Sequence, residues 1–286
     1  MIHGYLLGIL YGLVTSSAIV FISYVDTKIP IEVSLFYMAL SGSIVFNLIE
    51  YKNFVFVHKK LISNKLDWSL FSLAFLANCF FSYYSAVYTS PEIYVAIFFL
   101  TAAFCSCFFE KKYVRALTSC LAVTIIYLLT KPNILAFMSS LSAGFSVFIY
   151  YITSYKFEKK TKMNSSAIVA IRCYALLFFS ICYLIIQKEY GKIVLDLHQI
   201  KTMLFLVLIN IIIPSFLSQK CLSILGVGIF TRMNSLIPVL VFIINAICFQ
   251  QWTGSLLIIC IMTTVILNYK FIENIIKRIR MFLLRK

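Results

Sequence analysis

Three charged residues interrupt long apolar stretches of this sequence, and their side chains are the first candidates for chemistry. Glu92 follows Pro91 at the start of one stretch, and Arg172 and Arg232 each lie about two helical turns into another. A charge at the centre of a bilayer costs about 2.5–3.5 kcal/mol, so charges at such positions are commonly functional. We therefore consider all three as binding residues. Glu92 can serve as a proton-coupling carboxylate or as the counter-ion of a cationic substrate.

Each of these three charges also has a structural explanation. Glu92 lies about one turn inside its stretch, where it can face outer water and complement the positive end of a helix dipole. Arg172 and Arg232 can extend their guanidinium groups to the lipid headgroups, and we expect the helix of Arg172 to be peripheral. Because Glu92 and Arg232 are expected near opposite membrane faces, each can act as a gate at its own end without a direct ion pair between them.

A second set of candidates consists of uncharged polar residues near the middle of apolar stretches. They are Asn78, Tyr83, Tyr84, Tyr150, Asn210, Ser215, Gln219, Asn234 and Ser235. Hydrogen bonding between helices is the ordinary role of such groups, at about 0.6 kcal/mol each. Thr15, Ser16 and Ser17 can join the set from the first stretch. Pro214 and Pro238 free backbone carbonyls inside two stretches, which predicts bending points there.

The composition indicates that lipid surrounds most of these stretches. Of 286 residues, 62% are hydrophobic and 12% are charged, whereas a soluble domain carries about 25% charged residues. A helix needs about 20 apolar residues to cross a bilayer. That length predicts ten spans, at 4–24, 32–50, 67–88, 91–109, 114–130, 134–155, 165–187, 201–221, 226–249 and 253–271. The spans do not alternate polar and apolar residues, so we expect an all-α integral membrane protein and not a barrel.

The formal net charge of +15 indicates an orientation in the membrane. Lys and Arg concentrate in every second gap between spans and in the tail, which predicts cytoplasmic N- and C-termini. We read the N-terminal run as a retained first span, because it lacks a basic segment before its apolar core. The basic residues fill gaps between spans and form no folded basic face, so nucleic acid is not an expected partner. Abundant Ile, Lys, Asn, Phe and Tyr favour a bacterial inner membrane.

The chain also contains a weak internal repeat. Residues 108–113 and the span after them resemble 248–253 and the span after those, and Tyr11-Gly12 resembles Ser142-Ala143. We therefore predict a first five-helix repeat at 1–131, a second at 132–272 and a basic cytoplasmic tail at 273–286. Two copies of five spans must have opposite orientations, and inverted repeats with a midplane substrate site are typical of secondary transporters.

One segment resembles a known family. The run 229–239, closed by 249–253, is similar to the ninth-helix signature of EamA-type transporters of the drug/metabolite transporter superfamily. The run from Tyr94 to Glu110 is similar in the first repeat, although it lacks the Pro, and the second repeat has Gln250 and Gln251 where Glu is usual. The resemblance implies that spans three, six, eight and nine surround a central cavity. It also implies transport of metabolites such as amino acids, amines or nucleotide derivatives.

Other functions fit the sequence less well. The three His residues (His3, His58 and His198) lie outside the spans and no two acidic residues adjoin inside one, so we expect neither a membrane enzyme nor a metal site. The nine Cys residues lie in apolar runs and predict packing residues, not disulfides. No Walker motif is present, so we expect coupling to protons or to a counter-substrate and not to ATP. We expect no cofactor. The partners expected are a small-molecule substrate and membrane lipids, and the protein is expected to be a monomer or a homodimer. The alternative is a flippase for a lipid-linked substrate or a non-catalytic membrane subunit.

Overall fold

The structure is a computed structural model that describes residues 2–24, 29–188, 194–251 and 253–268, without the side chains of Ile2 and Arg232. The predicted basic tail, 273–286, lies outside the described residues. Within the described ranges the chain is helical and contains no strand. The predicted all-α class is therefore confirmed for this part of the chain.

Twelve α-helices, a short 3-10 helix (Tyr51–Asn53) and one π-helical segment make up the described fold. The helices are α1 (Ile2–Tyr24), α2 (Ile31–Ile49), α3 (Phe54–Ser63), α4 (Lys65–Tyr88), α5 (Pro91–Phe109), α6 (Tyr113–Thr130), α7 (Ile134–Thr161), α8 (Ser165–Ile186), α9 (Leu197–Leu206), α10 (Ile213–Asn234), α11 (Ile237–Phe249) and α12 (Gly254–Leu267). The π-helical segment, Val207–Ile212, joins α9 to α10 in one continuous rod.

Eight helical stretches of the described chain are long and apolar enough to cross a membrane, with α9 to α10 counted as one stretch. The fold is therefore that of a multi-pass membrane protein. The predicted ninth and tenth spans correspond to the shorter apolar helices α11 and α12. The predicted ninth span is broken between Asn234 and Ile237, and it ends where Gln250 takes a left-handed conformation with φ of 54°.

Two features interrupt the rod from α9 to α10, and a proline lies at the start of the helix that follows it. The π-helical segment ends two residues before Pro214, which has no N–H to donate to the carbonyl of Asn210. Gly226 has φ of 73° and ψ of 166°, a region open essentially to glycine alone, and it divides α10. Pro238 lies in the first turn of α11, where a proline removes no helical hydrogen bond.

A short helix replaces one expected loop. Helix α3 lies in the break predicted around Lys52–Lys65, and it exposes Val55 and Ile62. Its ten residues are too few to span a bilayer, and exposed apolar side chains beside lysines are typical of a helix at a membrane surface. Its anchor is His58, whose Nε2 lies 3.0 Å from the Tyr174 hydroxyl of α8.

The helices pack in a defined set of pairs. Helix α4 packs along α7, and α1 packs along α10. Helix α5 packs against α6 and α7, and α11 packs against α12 and α1. Helix α2 packs along α8, and α5 also contacts α11. These pairings place α1, α4, α5, α7, α8 and α10 around the centre of the bundle.

Polar contacts fix one end of the α2–α8 pair. The buried carboxylate of Glu50, at the end of α2, accepts hydrogen bonds from Asn164 Nδ2 at 2.9 Å and from Ser166 Oγ at 2.5 Å. Trp68 Nε1 donates to the Ile171 carbonyl at 3.0 Å and ties α4 to the same helix. Hydrogen bonds to a charged acceptor contribute about 1.5–3 kcal/mol each, so Glu50 is a structural residue.

We predict that Gly144→Ala destabilises the protein and that Gly228→Ala does not. A Cβ on Gly144 would collide with the Phe98 carbonyl oxygen of α5 and lie 2.7 Å from Thr101 Cβ, whereas a Cβ on Gly228 meets no atom within 4 Å. Overpacking of this kind costs about 1–3 kcal/mol, and alanine favours an open helical site. Thermal unfolding of both purified variants in one detergent measures the difference. Equal midpoints would show that α5 and α7 are not in close contact.

Candidate functional site

A cavity of about 140 Å³ lies at the centre of the bundle. Side chains of α1, α2, α4, α5, α7, α8, the π-helical segment and α10 form its wall. Seven of the polar residues singled out from the sequence line it: Thr15, Asn78, Tyr83, Tyr150, Arg172, Asn210 and Ser215. The structure therefore brings candidates from five helices and the π-helical segment to one site.

The remaining candidates lie elsewhere. Gln219 and Asn234 are buried behind the cavity wall, where they hydrogen-bond to wall tyrosines, and Ser16 is buried in α1. Ser17 is exposed and donates to the Leu13 carbonyl at 2.9 Å. The ring of Tyr84 contacts that of Tyr88 outside the lining, tilted by 43° with 4.5 Å between ring centroids. The side chain of Arg232 lies outside the described part of the chain.

Ser235 has a structural position next to the helix break. Its carbonyl accepts a hydrogen bond from Thr264 Oγ1 of α12 at 3.0 Å, and its hydroxyl accepts one from Asn268 Nδ2. A break inside a membrane helix is tolerated where neighbouring side chains satisfy the freed backbone groups. The hydrogen bond from Thr264 therefore satisfies a backbone carbonyl that the break between α10 and α11 leaves without a helical partner.

Arg172 is the charged member of the lining among the described residues. The expectation of a peripheral helix was wrong, because α8 packs against α2, α4 and α10, and the Arg172 side chain is 1% exposed. Its guanidinium carbon lies 4.2 Å from the ring centroid of Phe75 and 5.2 Å from that of Tyr150. It donates a hydrogen bond to the Tyr150 hydroxyl, and its Nε has no partner among the described residues.

A chain of hydrogen bonds runs from Arg172 to a buried carboxylate. The Tyr150 hydroxyl donates to Gln219 Oε1 at 2.9 Å, and Gln219 Nε2 donates to Glu158 Oε2 at 2.5 Å. Every donor in this chain points away from the cation and toward the anion. The chain therefore fixes the proton position of Tyr150 and the orientation of the Gln219 amide.

Glu158 is a site residue that sequence reasoning missed. It lies between Lys156 and Lys159 in a segment that looks like a charged loop, but α7 continues through it to Thr161. The signal was its spacing, because Tyr150, Ser154 and Glu158 follow one another at intervals of four residues and share one helix face. Glu158 is 6% exposed in the structure.

Glu92 forms a second polar site, between α5 and α11. Its side chain is 0% exposed, so the explanation that it faces outer water is wrong. Asn245 Nδ2 of α11 donates to Glu92 Oε1 at 2.5 Å. Glu92 Oε2 and Asn245 Oδ1 are both buried without a partner among the described residues. Asn245 was missed, although an amide inside the apolar run 239–249 was a visible signal.

Aromatic contacts close the bundle on both sides of the cavity. On one side, the rings of Tyr11 and Tyr151 lie 5.3 and 5.2 Å from that of Phe230, and Asn234 Nδ2 donates to the Tyr151 hydroxyl at 3.3 Å. On the other side, at the end of α1, Tyr24 stacks on Phe249 with 4.0 Å between centroids. The cavity therefore lies between two sets of interhelical ring contacts.

Comparisons with known proteins show a shared fold and no family. No family model matches the chain, and no curated protein matches it. A solved structure described only as "Crystal structure of protein" is similar over 92% of this chain and 94% of that chain, with a TM-score of 0.63 and 14% sequence identity. At that identity the similarity shows the fold alone. The resemblance to EamA-type transporters therefore stays a prediction.

We predict that Glu92→Gln leaves the protein as stable as the parent, whereas Glu92→Ala destabilises it. Glutamine keeps an acceptor for Asn245 Nδ2 and adds a donor for the unpartnered Asn245 Oδ1, whereas alanine leaves the buried amide unpaired at a cost of about 1–3 kcal/mol. Thermal unfolding in detergent measures both, with the exposed Glu110→Ala as the control. Equal losses in the two Glu92 variants would show that the charge, and not the hydrogen bond, holds α5 to α11.

Proposed function

We propose that this chain is a secondary transporter that moves a small organic metabolite across the bacterial inner membrane by alternating access. The observation that carries the proposal is the central cavity, which lies inside a membrane bundle and collects polar side chains from many helices. Polar groups inside a membrane bundle are expensive and mark solute pathways. The resemblance of 229–239 to EamA-type transporters supports the same function.

The pattern of helix packing supports ten spans in two inverted repeats. In that arrangement α1, α2, α4, α5 and α6 correspond to α7, α8, α9–α10, α11 and α12. The contact of α4 with α7 then corresponds to that of α10 with α1, and the contact of α5 with α7 to that of α11 with α1. The pairs α2–α8 and α5–α11 correspond to themselves. Each contact is therefore matched by another contact, or by itself, when the two repeats are interchanged, as expected for an inverted repeat.

Broken helices support alternating access. The π-helical segment lies inside the eighth proposed span, and the turn at Gly226 and the break before Ile237 lie at the start of and inside the ninth. Discontinuous helices are typical of the moving parts and binding sites of secondary transporters. The rod from α9 to α10 contributes Asn210 and Ser215 to the cavity, so a change at these breaks would alter the cavity wall.

The size of the central cavity and the uncharged lining of a second, larger cavity favour a solute over a lipid-linked substrate. The central cavity is close in size to the roughly 150 Å³ that holds a benzene molecule. A larger cavity of about 620 Å³ lies between α4, α5, α6 and α7, and its lining includes Phe104, Phe137 and Phe145 but no charged side chain among the described residues. A lipid-linked headgroup would find no ionic partner there.

We predict that a metabolite library contains compounds that stabilise the purified protein and that Ser82→Trp removes this effect. Ser82 lines the cavity, so tryptophan there would fill it, whereas Leu73 lies on the same helix and is 57% exposed to the surroundings of the bundle. Leu73→Trp is therefore the matched control. A ligand stabilises the state that it binds, so a rise in the unfolding temperature detects binding of any compound in the library.

Compounds that pass this screen are then tested for flux into proteoliposomes, with a proton gradient or with preloaded solute. We expect flux in the parent and in Leu73→Trp, and its loss in Ser82→Trp. Stabilisation that survives in Ser82→Trp would place the ligand outside the cavity. Binding without flux under either driving force would overturn the transport proposal.

A further inference from the structure

We propose that the solute carries an anionic group, a carboxylate or a phosphate, which the Arg172 guanidinium binds inside the central cavity. This inference rests on the proposed function, because it takes the cavity as the solute site. It narrows the substrate from any small metabolite to a small organic anion with an apolar body.

The charge of Arg172 is buried and has no direct counter-ion. Its side chain is 1% exposed, and among the described residues no carboxylate forms an ion pair with it. A guanidinium stays protonated in proteins. The nearest carboxylate in its hydrogen-bond chain is that of Glu158, which is reached through Tyr150 and Gln219. An anion that enters the cavity would supply the direct counter-ion that this buried cation lacks.

The contacts of Arg172 leave part of its donor set free. The guanidinium donates to the Tyr150 hydroxyl and lies over the Phe75 ring, while Nε has no partner among the described residues. The planar fork of arginine donors matches the two oxygens of a carboxylate or phosphate. Phe75 and Tyr150 orient this fork, so Tyr150 is a positioning residue as well as a wall residue.

The rest of the lining favours an anion over an amine. Among the described residues the lining contains no acidic side chain to receive an ammonium group. Its other polar groups are neutral, and Phe98, Phe99 and Tyr94 supply apolar and ring surface. A cationic solute would enter beside an uncompensated arginine and would be repelled. The volume of about 140 Å³ limits the solute in this conformation to about the size of one small aromatic molecule.

Four probes built on one benzene ring test the charge preference. Benzoate and phenyl phosphate carry the two anionic groups, benzyl alcohol is neutral, and benzylamine is cationic at pH 7. Binding to the purified protein is measured by thermal shift and by calorimetric titration. We expect at least one anion to bind at least about tenfold more tightly than both benzyl alcohol and benzylamine. The comparison of benzoate with phenyl phosphate identifies which anionic group the site prefers.

Arg172→Gln tests the residue, and Lys220→Gln is its charge-matched control. Lys220 is an exposed cation on α10, so its loss lowers the net charge equally without a change in the cavity. We expect the preferred anion to bind about tenfold or more weakly in Arg172→Gln, to keep measurable binding in Arg172→Lys, and to bind normally in Lys220→Gln. The four probes are compared in the parent protein. Its preference between anionic, neutral and cationic probes therefore tests the charge of the solute even if Arg172→Gln fails to fold.

Two results would overturn the inference. One is equal binding of benzoate, phenyl phosphate, benzyl alcohol and benzylamine to the parent, and the other is unchanged anion affinity in a folded Arg172→Gln variant. Either result leaves the transport proposal standing if library compounds still lose their effect in Ser82→Trp. Conversely, anion binding that depends on Arg172 without flux would retain the site and reject transport.

Discussion

A hydrocarbon interior offers no hydrogen-bond partners, and this constraint explains where the polar side chains of this protein lie. Apolar packing between helices gains little over packing with lipid, so polar contacts contribute much of the specificity of a membrane bundle. Three such contacts recur here: Glu50 ties α2 to α8, Glu92 meets Asn245 between α5 and α11, and Arg172 begins the chain that joins α8, α7 and α10. Each uses a buried ionisable side chain, and hydrogen bonds to a charged group are stronger than those between neutral groups.

The buried ionisable side chains differ in how many of their hydrogen-bonding atoms have a partner. Glu50 has donors on both oxygens, from Asn53, Asn164 and Ser166, and it therefore acts as an anchor. Glu92 leaves one oxygen without a partner among the described residues. Arg172 resembles Glu92 in this respect, since its Nε is also unpartnered. Incomplete satisfaction of a buried charge is costly to stability, which is why such groups are better candidates for ligand or proton binding than Glu50.

The sequence predicted the helical class, the positions of the long spans and much of the cavity lining, because each depends on local apolar runs and on polar residues within them. It did not predict that Arg172 is central, because the packing of α8 depends on long-range contacts. Glu158 was hidden because flanking lysines look like a loop. The end of α7 at Thr161 was also missed, since Lys162 after it takes a left-handed conformation that usually indicates glycine. The short helix α3 lies where the sequence predicted a loop, because its apolar run is too short for a span.

The strengths of the contacts around the cavity suggest how a transport cycle would divide the bundle. The contacts at the end of α1, the stacking of Tyr24 on Phe249 and its hydrogen bond to Gln251, are neutral and contribute about 0.5–1.5 kcal/mol each. The chain from Arg172 to Glu158 begins and ends on charges, so separating its members would leave a buried charge unsatisfied. Opening the Tyr24 side is therefore the less costly motion. In the proposed cycle the charged chain keeps α7, α8 and α10 together around the solute, while α1 and α11 separate.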